Sequence, residues 1–165
     1  MSKEPLLKNI FILLGVMLFG CKSDCKFGKP IAIFPNGLPI VTEQHFEARA
    51  ADAVESILFK NGLRLQITQS GCNDLKQLFE FTQQGNFSGR EDAFWKQVAM
   101  DQLKMMSNMH VSLQTFGLWA KAIEGILPTL KLGETTEIEP NTYVKIDKIT
   151  NGKDAILLLE LSKKR

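Results

Sequence analysis

The spacing of apolar residues changes twice along the chain, and the changes divide it into three parts. From residue 63 to 67, Leu63, Leu65 and Ile67 alternate with Arg64 and Gln66, the period of a half-buried strand. Asn61-Gly62 just before it is a hairpin signal, because tight hairpin turns need residues that tolerate positive φ. We therefore expect a hairpin of 53–60 with 63–70, its two-residue loop setting Leu58 opposite Leu65 and Ser56 opposite Ile67. The stretch 43–60 also fits a helix, since Phe46, Ala50, Ala53, Val54, Ile57 and Leu58 share a helical face that Thr42 would cap. The hairpin is preferred for 53–60. Gly71-Cys72-Asn73-Asp74 reads as a turn, and Leu78–Thr82 as a third strand, which makes the N-terminal half an antiparallel meander.

In the middle the period becomes helical. Ser88 and Glu91 have capping-box spacing, and a helix is predicted from there to about Asn108. Phe94, Val98, Met105 and Met109 lie near one face of it, with Trp95, Ala99, Gln102 and Met106 beside them. Ser112 would cap a second helix to about Leu127 that buries Phe116, Trp119, Ile123 and Ile126, and Pro128 ends it. Strands then return: a short one within 133–139, and a hairpin of 143–149 with 155–161 around Asn151-Gly152. Leu157, Leu159 and Leu161 would face the helices. Strand runs around a helical middle predict an α+β fold, an antiparallel sheet of N- and C-terminal hairpins packed against two helices.

The first twenty residues follow another pattern. Lys3 and Lys8 precede an apolar run from Ile10 to Phe19 that ends in Gly20. The run is short for a membrane-spanning helix, which needs about 20 apolar residues, and suits a secretory signal core. Leu18-Phe19-Gly20-Cys21 resembles the lipobox of bacterial lipoproteins, with Leu three positions before a Cys and a small residue directly before it. An ordinary secretory signal is the alternative, although no Ala-x-Ala cleavage site is found here. The resemblance covers residues 1–21 only. It implies removal of a signal peptide of residues 1–20, diacylglyceryl and acyl groups on Cys21, and palmitate-type anchoring in the cell envelope. At about 0.8 kcal/mol per buried methylene, two or three chains hold a protein on a membrane almost permanently. Lys22 follows the Cys where an Asp often retains such proteins in an inner membrane, so the resemblance implies the outer membrane. Residues 21–30 then form a lipidated tether, and 31–165 a single globular domain.

Charge and cysteine content follow from that division. The chain has 20 Lys and Arg against 18 Asp and Glu, a balance that argues against a nucleic-acid coat. Lys163-Lys164-Arg165 reads as a solvated tail. With Cys21 assigned to lipid, Cys25 and Cys72 remain in a compartment where disulfides persist, and we expect them to pair. A closed loop of about 48 residues would contribute roughly 4 kcal/mol. Two free thiols are the alternative.

Catalytic signatures are absent from the sequence. There is no His-Glu-x-x-His, Gly-x-Ser-x-Gly, phosphate-cradling glycine loop or Cys-x-x-Cys. Ser23 and Lys26 match Ser-x-x-Lys by chance, within the tether. His45 could activate Cys72 as a thiolate only if that thiol were free. His45, His110, Asp74 and Asp101 lack metal-ligand spacing, and neither a metal nor a cofactor is expected. Met100, Met105, Met106 and Met109 could line an adaptable groove, but core packing is preferred, as it is for Trp95 and Trp119. Gln66, Gln69, Gln77, Gln83 and Gln84 would suit recognition on a sheet face. The sequence predicts a non-catalytic binding or structural domain with an envelope protein or polymer as partner. The alternative is an envelope hydrolase using carboxylates such as Asp74, Glu80 and Asp101.

Overall fold

The computed structural model describes residues 28–50, 52–71, 74–151 and 153–164. The predicted signal peptide, the lipidation site Cys21, the tether as far as residue 27 and the expected Cys25–Cys72 pair lie outside the described residues.

Seven strands form one antiparallel sheet: β1 (Val41–Ala48), β2 (Asp52–Phe59), β3 (Arg64–Ser70), β4 (Leu75–Gln84), β5 (Thr135–Glu139), β6 (Thr142–Thr150) and β7 (Asp154–Lys163). Their spatial order is β1-β2-β3-β4-β7-β6-β5, so two meanders meet where β4 pairs with β7. Between β4 and β5 the chain forms α1 (Asp92–Ser107), a 3-10 turn at Val111–Leu113 and α2 (Thr115–Ile126). The architecture is the expected α+β arrangement, with helices inserted between two strand runs.

One side of the sheet carries the core. Ile57 and Phe59 of β2, Leu65 and Ile67 of β3, Phe79 and Phe81 of β4, and Leu157, Leu159 and Leu161 of β7 are all buried. Trp95, Ala99, Leu103 and Met106 of α1 and Phe116, Ala120 and Ile123 of α2 join the same cluster. Phe116 stands edge-on to Phe79 at 5.5 Å between ring centres. This apolar face accounts for most of the fold's stability, because burial of a large side chain is worth about 1.5–3 kcal/mol.

The β2–β3 hairpin corrects the expected register by one residue. Ile57 pairs with Leu65 and Ser56 with Gln66, while Leu58 faces Arg64. The loop has three residues, not two: Gly62 N–H donates to Phe59 O at 2.9 Å, and Gly62 takes φ +82°. This register puts Ile57 and Leu65 together on the buried face; a slip of one would set a core residue against a solvent-facing one. The segment 41–48 is a strand, not part of a helix. Arg49 N–H donates to Asp52 O at 2.8 Å to close the β1–β2 turn, although no Gly or Pro marks it.

Both helix starts differ from expectation. Glu91 is the cap residue of α1 and makes no side-chain cap bond, while Ser88 N–H donates to Asn86 Oδ1 at 3.1 Å, so the Ser88–Glu91 box does not form. At the 3-10 turn the cap is His110: its Nδ1 accepts from Ser112 N–H at 3.2 Å. Lys163 is the last residue of β7 and Lys164 N–H donates to Asn141 O at 2.8 Å, so the backbone here is held to the fold while both side chains are exposed to solvent.

The segment before β1 is stapled to the buried face by polar groups. Gln69 Nε2 donates to Ile31 O at 2.7 Å, and Ile33 N–H donates to Glu55 Oε2 at 2.7 Å. Phe34 then packs edge-on to Phe59 at 6.2 Å between ring centres.

Candidate functional site

Among the described residues the other side of the sheet has no helix on it, and alternation along the strands decides what it displays. Three rows of side chains cross it in register. One runs Glu43, Leu58, Arg64, Thr82, Ile156, Ile149. The next runs His45, Ser56, Gln66, Glu80, Leu158, Asp147, and the third runs Glu47, Val54, Thr68, Leu78, Glu160, Lys145. Polar groups dominate the β1–β4 half, and aliphatic ones gather over β4 and β7.

A hollow of about 560 Å³ lies over the polar half, lined by Glu43, His45, Ser56, Arg64, Gln66 and Glu80. Gln66 Nε2 donates to Glu80 Oε2 at 2.9 Å, which fixes one wall. A smaller hollow of about 160 Å³ adjoins it over Leu78, Lys145, Asp147, Leu158 and Glu160. Carboxylates, a guanidinium, a hydroxyl and an amide together offer donors and acceptors to a polar ligand. A pocket of this kind takes its specificity from a few placed polar groups on a largely preformed surface.

Of the expected site residues, His45 and Glu80 line the one hollow and the others are dispersed. His45 is exposed on β1, and His110 caps the turn between the helices. Glu80 stands on the uncovered face, Asp74 is exposed before β4, and Asp101 is exposed on α1, where it accepts from Gln97 Nε2 at 2.9 Å. Glu80 and Asp101 thus lie on opposite sides of the sheet. His45 is opposite Ser56 in the ladder, yet no hydrogen bond joins them among the described residues. No group of three or more metal-ligating side chains converges among the described residues.

The methionines divide. Met100 and Met106 are core residues, while Met105 and Met109 line a groove of about 440 Å³ with Leu38, Pro39 and Ile40. Trp95 is fully buried and Trp119 half-buried, at 5.4 Å from the Phe116 ring centre. The glutamines divide too. Gln66 serves the hollow, whereas Gln69 is buried on the helix side and accepts from Gln77 Nε2 at 3.4 Å.

Sequence reasoning missed Glu43, Ser56 and Arg64 as lining residues. The signal was the alternation Glu43, His45, Glu47 against Gln44, Phe46, Ala48, which a helical reading of 43–60 obscures.

Glu47 carries a perturbed carboxyl: its bond to the Arg49 guanidinium, 3.1 Å away, and that group's charge hold it below the ordinary carboxylate range. Glu55, on the buried face, is perturbed the other way. Burial raises it, against the donated bonds from Ile33, Gln44 and Phe34.

Among the described residues no helix is long and apolar enough to cross a membrane. Compared with known proteins, the chain matches no family model, no curated protein and no solved structure.

Proposed function

We propose that this is a lipid-anchored protein of the bacterial cell envelope, attached through Cys21 at the outer membrane, whose domain binds a ligand and catalyses no reaction. The anchor rests on Leu18-Phe19-Gly20-Cys21. The observation that carries the binding part is the uncovered sheet face, where four strands supply polar side chains to one hollow. Of the carboxylates expected to serve a hydrolase, Glu80 and Asp101 do not share a cleft, and the pair that does line one hollow is Glu43 and Glu80.

A Cys25–Cys72 disulfide belongs to the same proposal. Gly28 and Gly71 line one hollow of about 250 Å³, together with Leu75 and Gln77. Cys25 precedes Gly28 by three residues, a span of at most about 11 Å, and Cys72 directly follows Gly71. The nearness of Gly28 to Gly71 supports that pairing.

Two measurements test the function. Labelled palmitate should enter the chain in its native cell and be lost with Cys21→Ala; incorporation that persists in the variant overturns the anchor. A photocrosslinking residue at Gln66 should capture a partner on intact cells. A purified chain that hydrolyses envelope polymers, with no capture at Gln66, overturns the binding reading.

A further inference from the structure

The sheet has two edges, and they are built differently. β5 has five residues, its pairing with β6 shifts between Glu137 and Glu139, and Pro140 follows it directly. Short length, a bulge and a proline are the means by which natural sheets blunt an edge. β1 has eight residues and contains neither Lys nor Pro, and from Glu43 to Ala48 it pairs with β2 without a break. Among the described residues, the one backbone bond that β1 makes outside its β2 ladder is from Val41 N–H to Leu38 O at 3.0 Å. Among the described residues its outer side therefore presents a row of free N–H and C=O groups.

The side chains on this edge say what would fit it. Glu43, His45 and Glu47 stand on the uncovered face, and Glu43 and His45 also line the hollow. Glu47 is paired with Arg49, whereas Glu43 has no ion-pair partner among the described residues. On the other side Phe46 is half-buried and stays outside the core cluster. A second copy is a poor occupant: two β1 strands pairing antiparallel about His45 would set Glu43 against Glu47 twice, and like charges in direct opposition destabilise a pair.

We propose that β1 accepts an extended basic polypeptide segment as an eighth strand. Lysine or arginine side chains of that segment face Glu43 and the hollow, and an apolar side chain lies beside Phe46. Backbone bonds supply affinity and the alternating side chains supply choice of partner. The inference rests on the domain being a binding module; it does not need the lipid.

The test uses the full-length chain in neutral detergent and a fluorescent nine-residue peptide of alternating Lys and Val. Binding should be saturable, weakened by salt, and at least about fivefold weaker with Glu43→Lys. Only alternate amides of an added strand point at β1. N-methylation of one alternate set should therefore weaken binding at least about tenfold, while N-methylation of the other leaves it unchanged. Equal effects of the two sets, equal binding of a Glu/Val peptide, or no binding overturns the inference. So does self-association of the chain that excludes the peptide. If the peptide fails while Gln66 still captures a partner on cells, the edge inference falls and the binding reading stands; if both fail, both fall.

Discussion

Gln44 and Glu55 meet on the buried side of the sheet, with Gln44 Nε2 donating to Glu55 Oε1 at 2.9 Å. Both also hold Phe34. Gln44 Nε2 donates to Phe34 O at 2.8 Å, and Phe34 N–H donates to Glu55 Oε1 at 3.2 Å. Glu55 is 0% exposed, so its carboxylate is held by protein donors alone: Ile33, Phe34 and Gln44. The pair clamps the segment leading in from the N-terminus onto the core face.

Removing the carboxylate leaves those buried donors without a partner, each at a cost of about 1–3 kcal/mol. Glu55→Ala should lower unfolding free energy in urea by about 3 kcal/mol or more. Glu55→Gln should cost less, since its amide oxygen still accepts. Equal stability of the Ala variant and the parent would show that the clamp contributes nothing.

The same residue gives a pH dependence of known sign. Burial raises the folded-state pKa of Glu55 above its ordinary value of 4.5. The folded state therefore holds the proton more tightly than the unfolded one. The resulting contribution is fully present below pH 4.5 and is lost as pH rises through the folded-state pKa. Unfolding at a series of pH values should show the parent gaining on Glu55→Gln as pH falls from 7 to 4. A gain in the opposite direction refutes the assignment.

Gly71 has φ +109°, and a Cβ there would collide with the backbone oxygen of Asp74. Gly71→Ala must deform the β3–β4 turn, and a loss of about 2 kcal/mol or more is expected in thermal or urea unfolding. An unchanged midpoint would mean that the turn can take another shape.

Trp95 is a core residue whose Nε1 has no hydrogen-bond partner among the described residues. Trp95→Ala should cost about 3–5 kcal/mol through the cavity it leaves. Trp95→Phe should cost far less, about 1 kcal/mol, because it also removes an unsatisfied N–H. Comparable losses in the two variants would place the value of Trp95 in its indole nitrogen, against this account.

The expected cysteine bridge is tested by alkylation and mass spectrometry on chain isolated without reductant. Cys25 and Cys72 should resist alkylation until reduced, and Cys72→Ser should lower stability by roughly 4 kcal/mol in the loop-entropy account. Two thiols that alkylate freely at the outset exclude the bond.

The parts of the fold legible in the sequence were those with a regular period and punctuated ends. Leu63–Ile67 alternates cleanly, and Tyr143–Ile149 and Ala155–Leu161 are apolar-rich runs on either side of Asn151-Gly152; all three strands lie where these runs put them. β1 was hidden because its turn, Arg49 to Asp52, carries helix-compatible residues, so that one helical face could be drawn through 43–60. The role of Glu55 was not legible, since nothing local shows that Ile33 and Phe34 return to meet it from more than twenty positions away. The hollow was hidden for the same reason: it is assembled by register across four strands, and the expected register was off by one. His45 and Glu80 share the row that it follows, which spacing along the chain could not reveal.

The pairing of β4 with β7 has a consequence for assembly. β7 follows the other six strands in sequence, yet it sits between β4 and β6. During synthesis the first four strands emerge with the β4 edge open, and β5 and β6 have only each other. Contacts between residues as far apart as Leu75 and Lys163 close late, since long loops must be ordered first. This one pairing must wait for the last strand to be delivered, and until then the half-made N-terminal meander, its β4 edge open, is the species most in need of protection from pairing with another chain.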